Sequence, residues 1–232
     1  MEQFSRTISL VGQSAFDRVH QARVAVFGVG GVGGYVCEAL VRSGIAEIDL
    51  FDRDDVSISN LNRQIIALHS TIGQDKVDAM AARLKDINPD VRVNCRKMFY
   101  LPTNADEIDL SVYDFVVDAV DTIAPIRFIS AMGAGNKLDP SCLRIADITK
   151  TSVCPLARAM RVSCKKKGIR HMTVAYSLEP MHPPVQPIAE ESDRRKDIPG
   201  STAFVPGAMG LLIASHVVRT LMAGDEPARP EG

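Results

Sequence analysis

Paired cysteines, a strong net charge and an export signal are all missing from this sequence. Its five cysteines are an odd number and include no Cys-x-x-Cys pair, which excludes a disulfide framework and the usual zinc site and favours reduced thiols. The formal net charge of −1 excludes a protein that coats nucleic acid through bulk electrostatics, although local basic clusters can still bind it. The first residues lack the basic and then apolar regions of a signal peptide, so we expect a cytoplasmic protein.

Internal repeats and low-complexity blocks are also missing. The 232 residues, of which 46% are apolar, suffice for one compact unit with a sizeable core. We therefore predict a single domain over residues 1–232, with a frayed tail from residue 224 onward.

One apolar run, from Phe204 to Leu221, is long enough to suggest a membrane span. Pro206, His216 and Arg219 interrupt it, and its small residues suit close helix packing. We therefore predict a buried or dimer-interface helix and no membrane span.

Short apolar runs alternate with helix-like patterns along the chain. The predicted strands are 23–28, 47–52, 91–97, 115–120, 127–131, 143–148 and 172–176. Helices are predicted over 31–43, 74–87 and 155–167, and a long loop over 181–201. This alternation predicts an α/β protein with a Rossmann-like, doubly wound, mostly parallel sheet that carries helices on both faces.

The predicted strands 115–120 and 127–131 are too close in sequence for an ordinary parallel pair. Only five residues separate Asp121 from Arg127, whereas a crossover between parallel strands needs about a dozen residues or more, usually as a helix. Either these strands are not parallel neighbours, or the sequence lacks a mobile crossover of the natural chain. We favour the second interpretation, under which numbers beyond Asp121 are shifted from the natural ones.

The most informative motif is a glycine-rich turn between a predicted strand and a predicted helix. Its glycines are Gly28, Gly30, Gly31 and Gly33. Glycine allows positive φ and close backbone approach, and the N-terminus of the following helix attracts a phosphate. Asp52 ends the next predicted strand, 19 residues after Gly33, where it can accept hydrogen bonds from ribose hydroxyls. Dehydrogenases and ATP-binding enzymes share this pattern.

The residues that separate these two uses follow Asp52. They are Asn60, Arg63, Gln64 and Lys76. Two of them, Arg63 and Lys76, are cations. A triphosphate site needs cations because the negative charge that spreads over the phosphates and departs with the leaving group must be neutralised, whereas a hydride-transfer site has no such need. Alternative interpretations are that Lys76 is a solvated surface lysine, that Arg63 pairs with Asp54 or Asp55, and that Asn60 caps a short helix.

Together these motifs resemble the ubiquitin-activating-enzyme-like superfamily of ThiF-type adenylating enzymes. The resemblance implies ATP and Mg²⁺, with the glycine loop and Asp52 binding the nucleotide. It implies phosphate-handling roles for Asn60, Arg63, Gln64 and Lys76. It also implies that Asp121 lies near the metal and the reacting carboxylate, and that Arg6 reaches into the partner subunit's site of a homodimer. Zinc is not expected, because the Cys-x-x-Cys pairs of many relatives are absent.

Further stretches resemble the branch of that superfamily that dehydrates threonylcarbamoyladenosine in tRNA. They are 129–140, 147–151, 154–158 and 199–206. The resemblance implies that the enzyme adenylates a carboxylate and then closes a ring, with tRNA as partner and a sulfur-relay or carrier protein as a further partner. The alternatives are an activator of a ubiquitin-like or sulfur-carrier protein, a dinucleotide-dependent dehydrogenase and a non-catalytic nucleotide-binding scaffold.

Four other features carry weaker signals. Cys154 is either a nucleophile or, as we favour, a small residue packed before a helix. Asp118 competes with Asp121 for the place beside the nucleotide, and we favour Asp121. The turn at Gly133, Gly135 and Asn136 approaches the substrate or is simply a tight turn. The basic clusters available to hold tRNA phosphates are Arg158 and Arg161, Lys165 to Lys167 with Arg170, and Arg194 to Lys196.

Overall fold

The structure is a computed structural model that describes residues 2–98, 100, 104, 107–118, 127–183, 185 and 199–224. Its strands are β1 Arg23–Phe27, β2 Glu47–Phe51, β3 Arg92–Arg96, β4 Phe115–Asp118, β5 Phe128–Ala131, β6 Leu143–Asp147 and β7 Thr173–Ser177. Its helices are α1 Ser5–Val11, α2 Gln13–Gln21, α3 Gly33–Arg42, α4 Lys76–Ile87, α5 Pro155–Lys166 and α6 Phe204–Ala223.

The seven strands form one sheet in the order β3-β2-β1-β4-β5-β7-β6. Every neighbouring pair is parallel except β6 and β7. Strand order reverses next to β1, which is the arrangement of a doubly wound sheet. The predicted α/β fold class is confirmed.

The central strands are buried on both faces, as their uninterrupted apolar sequences require. Val24 and Val26 of β1 belong to the main core, whereas Ala25 and Phe27 point to the other face, where Phe27 stacks on Phe51 at 4.3 Å between ring centroids. Because side chains alternate across a strand, one short segment supplies both layers.

Helix α6 packs tightly on α3. A Cβ atom placed on Gly210 would lie 2.5 Å from the carbonyl oxygen of Val32 and 2.8 Å from the Cβ of Tyr35, so only glycine permits this approach. In the described part of the chain, α6 is the one helix long and apolar enough to cross a membrane. Of an 18-residue apolar stretch of this helix, 56% is buried inside the protein. The predicted packing of this segment as a buried helix is confirmed.

Two N-terminal helices have no counterpart in the sequence prediction. Helix α2 buries Phe16 and Val19, and the Phe16 ring stacks on His20 at 5.5 Å. Helix α1 buries no residue, so its sequence carries no amphipathic signal. Gly12, at φ 81°, separates the two helices.

Strands β4 and β5 are parallel neighbours, with Val116 opposite Phe128 and Asp118 opposite Ser130. The interpretation that these runs are not parallel neighbours is therefore wrong. Asp121 and most of the connection, residues 119–126, lie outside the described residues, as do Arg194 to Lys196 and the tail beyond Gly224. The shortened crossover therefore stays a prediction.

Candidate nucleotide site

A cleft of about 410 Å³ opens at the carboxyl ends of β1 and β2. Ligands of doubly wound sheets bind at this edge, where the strand order reverses. The predicted residues that line the cleft are Gly28, Gly30, Gly31, Gly33, Asp52, Arg63 and Lys76. The sheet thus brings together residues that lie up to 48 positions apart in the sequence.

The glycine loop at this edge has a geometry that only glycine allows. Gly28 has φ 89°, in the left-handed region. A Cβ atom on Gly33 would lie 1.8 Å from the carbonyl oxygen of Gly28, so any other residue would force the loop open. Because α3 begins at Gly33, its first amide groups lie at the cleft, where they can bind an anion.

Asp52 connects this loop to the end of β2. Its carboxylate accepts hydrogen bonds from the amide of Val29 at 2.7 Å and from the amide of Asp54 at 2.9 Å, and the residue is only 6% exposed. Each carboxylate oxygen has more than one acceptor position, so both can still receive ribose hydroxyls. Asp52 therefore has a structural role as well as its predicted role in binding.

Lys76 is the first residue of α4 and is 6% exposed. Its Nζ donates to Asp54 Oδ2 at 3.0 Å, and both residues line the cleft. The interpretation of Lys76 as a solvated surface lysine is wrong, because the helix start directs its side chain into the cleft. A carboxylate that is half exposed compensates the buried ammonium.

Arg63 also lines the cleft and is half-buried. Its Nη1 donates to the carbonyl oxygen of Ser59 and to Asn62 Oδ1, both at 2.9 Å. The side-chain stem lies against Gly31, where a Cβ atom would meet Arg63 Cγ at 3.4 Å. The suggested pairing of Arg63 with Asp54 or Asp55 is wrong, since Lys76 and Lys97 occupy these carboxylates instead.

Asn60 and Gln64 are buried beside the cleft but do not line it. Asn60 Oδ1 accepts the amide of Ser57 at 3.2 Å within a capping box, so the predicted capping role is confirmed. In the described part of the chain, two buried side-chain atoms lack a hydrogen-bond partner, Gln64 Oε1 and Thr202 Oγ1. Both residues are next to residues that line the cleft. A Cβ atom on Gly30 would lie 3.8 Å from Gln64 Nε2, and Thr202 follows Ser201 in the sequence.

Other predicted site residues do not reach the cleft. Arg6 is exposed on α1 and does not line it. Asp118 is fully buried in β4, where its carboxylate accepts from Ser130 Oγ at 3.3 Å. Asp121 lies outside the described residues. Among the residues that the structure describes, no group of three or more His, Cys, Asp or Glu could hold a metal ion.

Asn136 fixes one wall of the cleft, whereas the sequence suggested only that its turn approaches the substrate or is simply a tight turn. At φ 56°, its amide donates to the carbonyl oxygen of Gly200 at 2.7 Å, and its Oδ1 accepts the amide of Gly200 at 2.7 Å. Asn62 Nδ2 donates to the carbonyl oxygen of Ser201 at 3.0 Å. These bonds hold the segment 199–201 against Gly135, which lines the cleft.

Glu179 supports that wall from behind. Its carboxylate accepts the amides of Leu138 at 2.9 Å and Asp139 at 3.0 Å, and it contacts His182 Nε2 at 2.7 Å. Burial acts to raise the pKa of Glu179, but these hydrogen bonds outweigh it, so the pKa lies below the ordinary glutamate value. The ammonium group of Lys137, which is 3% exposed, donates to the Glu179 carbonyl oxygen at 2.5 Å.

Cys154, which the sequence offered as a nucleophile or a packed residue, is buried, and so is Cys37. Cys154 is 2% exposed and directly precedes α5, packed in a cluster with Ala157 and Met160. The packing interpretation of Cys154 is confirmed. Cys37 is fully buried in α3, and this burial raises the pKa of its thiol, which disfavours the reactive thiolate.

The sheet order and the cleft define a Rossmann-like nucleotide-binding protein. The ThiF family model matches residues 4–231, and the chain belongs to the ThiF family. It is 40% identical to a Bacillus subtilis tRNA threonylcarbamoyladenosine dehydratase over 99% of this chain and 98% of the relative. The Escherichia coli enzyme of that name is 31% identical over 96% of this chain and 94% of its own length.

Solved structures of the Escherichia coli enzyme are also similar to this chain. Its complex with ATP has a TM-score of 0.84 at 32% identity, and covers 96% of this chain and 94% of the solved chain. Its complex with AMP has a TM-score of 0.85 at 30% identity, and the match covers 96% of this chain and 95% of the solved chain. The fold likeness therefore extends over nearly the whole chain.

Proposed function

We propose that this protein dehydrates threonylcarbamoyladenosine in tRNA, as an ATP-dependent ligase or cyclase that adenylates the carboxylate of the modification. The observation that carries the proposal is that buried Lys76 and half-buried Arg63 line the same cleft as the glycine loop, from which α3 begins. The names and bound nucleotides of similar proteins support the same activity.

The chemistry has two steps. A carboxylate is a poor electrophile, so its oxygen first attacks the α-phosphorus of ATP and pyrophosphate leaves. A nitrogen of the same modification then attacks the activated carbonyl carbon, the ring closes, and AMP leaves with the former carboxylate oxygen. The second step is intramolecular, so orientation supplies much of its rate. The net change in the nucleoside is the loss of one water.

The residues of the cleft suit the first step. The loop glycines and the N-terminus of α3 would bind the phosphates through backbone amides, and Asp52 would hold the ribose. Lys76 would exchange its bond to Asp54 for a phosphate oxygen, and Arg63 would stabilise the charge that develops as pyrophosphate leaves. Asn60 and Gln64 would shape the loop from below.

We propose Mg²⁺ as a second requirement, because it neutralises a triphosphate with only one or two protein carboxylates. Asp121 is its proposed ligand from the chain. Asp54 lines the cleft and is half exposed, so an acidic side chain on the described wall fits such an ion.

Mass spectrometry of nucleosides tests the function directly. Threonylcarbamoylated tRNA is incubated with the protein, with and without ATP and Mg²⁺. We expect the modified nucleoside to lose one water only when ATP is present. If ATP binds but the nucleoside is unchanged, the proposal fails, and the C-terminus of a ubiquitin-like or sulfur-carrier protein becomes the carboxylate to test by ATP–pyrophosphate exchange.

We further propose that the chain is one adenylating domain that works as a cytoplasmic homodimer in which Arg6 completes the partner's site. Arg6 is exposed and does not line the cleft of its own chain, which supports a role in trans. A sulfur-relay or carrier protein is a further proposed partner.

Subunit mixing tests the role of Arg6. Arg6→Ala and Lys76→Ala are each expected to be nearly inactive, but heterodimers of the two combine Lys76 of one subunit with Arg6 of the other. After random exchange about a quarter of the sites would be intact. Recovery to that level supports action in trans, whereas no recovery, or full activity of a monomer, contradicts it.

A further inference from the structure

Residues 148–172, between β6 and β7, form a basic segment. It contains seven lysines and arginines and no aspartate or glutamate, although the whole chain has a net charge of −1. The rest of the chain is therefore acidic overall. The segment consists of the short turn 148–150, helix α5 and the turn that leads to β7.

The cations of this segment lack acidic partners. In the first 98 residues most cations form ion pairs, namely Arg23, Arg42, Arg53, Lys76, Arg83, Arg92 and Lys97. Among the described residues, none of the seven lysines and arginines of the basic segment is in an ion pair, and His171 alone contacts an acid, Asp147, at 3.3 Å. Such a concentration of like charge opposes folding through self-repulsion, and a polyanion would relieve it.

Helix α5 sorts these charges onto one side. Ala157, Met160 and Cys164 form its buried face. Three cations that flank this buried face, spaced three to four residues apart, are Arg158, Arg161 and Lys165. Residues at this spacing are neighbours on a helix surface, so they form a continuous stripe. Arg161 is fixed at its centre, because Nη1 donates to the carbonyl oxygen of Thr151 at 2.9 Å.

A cavity of about 560 Å³ lies at the C-terminal end of this stripe. Its cations are Arg161, Lys165 and Arg170, and its apolar lining is Ile148, Cys164 and Ile169. Cations beside an apolar floor suit a phosphate with its attached sugar.

Helix α5, which carries the stripe, begins near the nucleotide cleft. Leu156, in the first turn of α5, has its Cβ 4.0 Å from the position of a Cβ on Gly133, two residues before the lining residue Gly135. Helix α5 has 12 residues and is therefore about 18 Å long, at 1.5 Å per residue. A nucleic-acid strand held along the stripe would therefore extend away from the reaction centre.

We infer that Arg158, Arg161, Lys165 and Arg170, with the cavity between them, bind the phosphate backbone of the RNA that carries the reacting adenosine. This RNA site rests on the proposed function and names the surface by which its substrate is held. The binding is electrostatic and independent of base sequence, since phosphate contacts position a nucleic acid without reading it.

A matched pair of charge reversals tests the RNA site. Lys165→Glu alters the stripe, whereas Lys85→Glu alters an exposed lysine in the last turn of α4, another helix of 12 residues. The probe is an unmodified tRNA transcript, so no chemistry is required. We expect Lys165→Glu to raise the Kd for the transcript roughly fivefold or more near 0.1 M salt. The same substitution should reduce the slope of log K against the logarithm of salt concentration by about one, whereas Lys85→Glu should change neither quantity. ATP affinity and melting temperature should be unchanged in both.

Three outcomes overturn the RNA site: equal weakening by both substitutions, weakening by neither, or no binding of the transcript by the unsubstituted protein at low salt. Failure of the proposed function gives a different pattern. In that case the transcript binds and Lys165→Glu weakens it, but no water is lost from the modified nucleoside. If instead dehydration proceeds and Lys165→Glu leaves both binding and turnover unchanged, the function stands and the RNA site is wrong.

Discussion

Lys76 Nζ and Asp54 Oδ2 are 3.0 Å apart inside the nucleotide cleft, and Lys76 is almost completely buried. Breaking such a pair from one side leaves the other charge uncompensated. The pair therefore holds the ammonium group in the cleft before a nucleotide arrives, and Asp54 is a positioning residue for it.

Lys76→Ala should lower ATP–pyrophosphate exchange by about 10²-fold or more, because a charge donor to the leaving phosphate is lost. Lys85→Ala, on the exposed side of the same helix, is the matched control and should leave exchange unchanged. Equal activity of both variants would remove Lys76 from the site. In a double-mutant cycle, the part of the Asp54→Asn effect that passes through Lys76 should vanish in the Lys76→Ala background. An effect that remains there and depends on Mg²⁺ concentration would report a contact of Asp54 with the proposed ion.

Arg63→Ala should also lower exchange by about 10²-fold while the melting temperature changes little, because its hydrogen-bond partners Ser59 and Asn62 are in solvent-exposed surroundings. Arg63→Lys keeps the charge but loses the planar fork, so we expect only partial recovery. Steady-state assays at saturating ATP measure this effect. Full activity of Arg63→Ala would contradict the assigned role.

Asp52→Ala should weaken ATP binding and also destabilise the fold. The substitution leaves the buried amide of Val29 without an acceptor, at a cost of about 1–3 kcal/mol. Calorimetric titration with ATP and denaturant unfolding separate the two effects. Asp52→Asn keeps one acceptor oxygen, so it should recover more of the free energy of unfolding than of the affinity for ATP. If Asp52→Ala instead lowered turnover and left the affinity for ATP unchanged, the assigned role of Asp52 in ATP binding would be contradicted.

Glu179 should make stability depend on acid pH. Its pKa is lower in the folded protein than in the unfolded chain, so the ionised carboxylate stabilises the fold above the ordinary glutamate pKa of about 4.3. This stabilisation is lost as pH falls through the lower, folded value. Unfolding midpoints measured from neutral to acid pH should fall less steeply for Glu179→Gln than for the unsubstituted protein, and parallel curves would show that Glu179 is not the titrating group.

Much of the sheet could be predicted, because its central strands β1, β2 and β4 are mostly apolar runs that end at or just before glycine or aspartate. Arg23–Phe27 and Glu47–Phe51 lie within one residue of the predicted strands. The glycine loop could be predicted for the same reason, since its backbone geometry is possible for few other residues. The sequence pattern did not predict α1, because this helix buries no residue and so shows no helical periodicity of apolar residues.

The partners of charged side chains could not be predicted. Arg63 is 9 residues from Asp54 in the sequence and Lys76 is 22. The more distant cation nevertheless reaches that carboxylate, because α4 begins at Lys76. The role of Asn136 was hidden for a similar reason, because its partner Gly200 lies 64 residues away. Hydrogen bonds at that distance depend on the fold and not on local pattern.

The connection between β4 and β5 shows a limit of a different kind. A parallel pair with so few intervening residues is unusual, and the register places Phe128 opposite Val116. The alignment with the Bacillus subtilis relative extends over 255 positions, more than the 232 residues of this chain. The relative therefore has positions that this chain lacks, and the shortened crossover stays a prediction.

The contact of Gly210 with the carbonyl oxygen of Val32 makes the last helix part of the floor beneath the glycine loop. Pro206, one turn earlier in α6, itself lines the cleft. A fragment that stops before residue 204 would therefore not be an autonomous nucleotide-binding module, although it contains every loop glycine. We therefore expect the site to take its shape only after ribosomal synthesis has delivered nearly the whole chain.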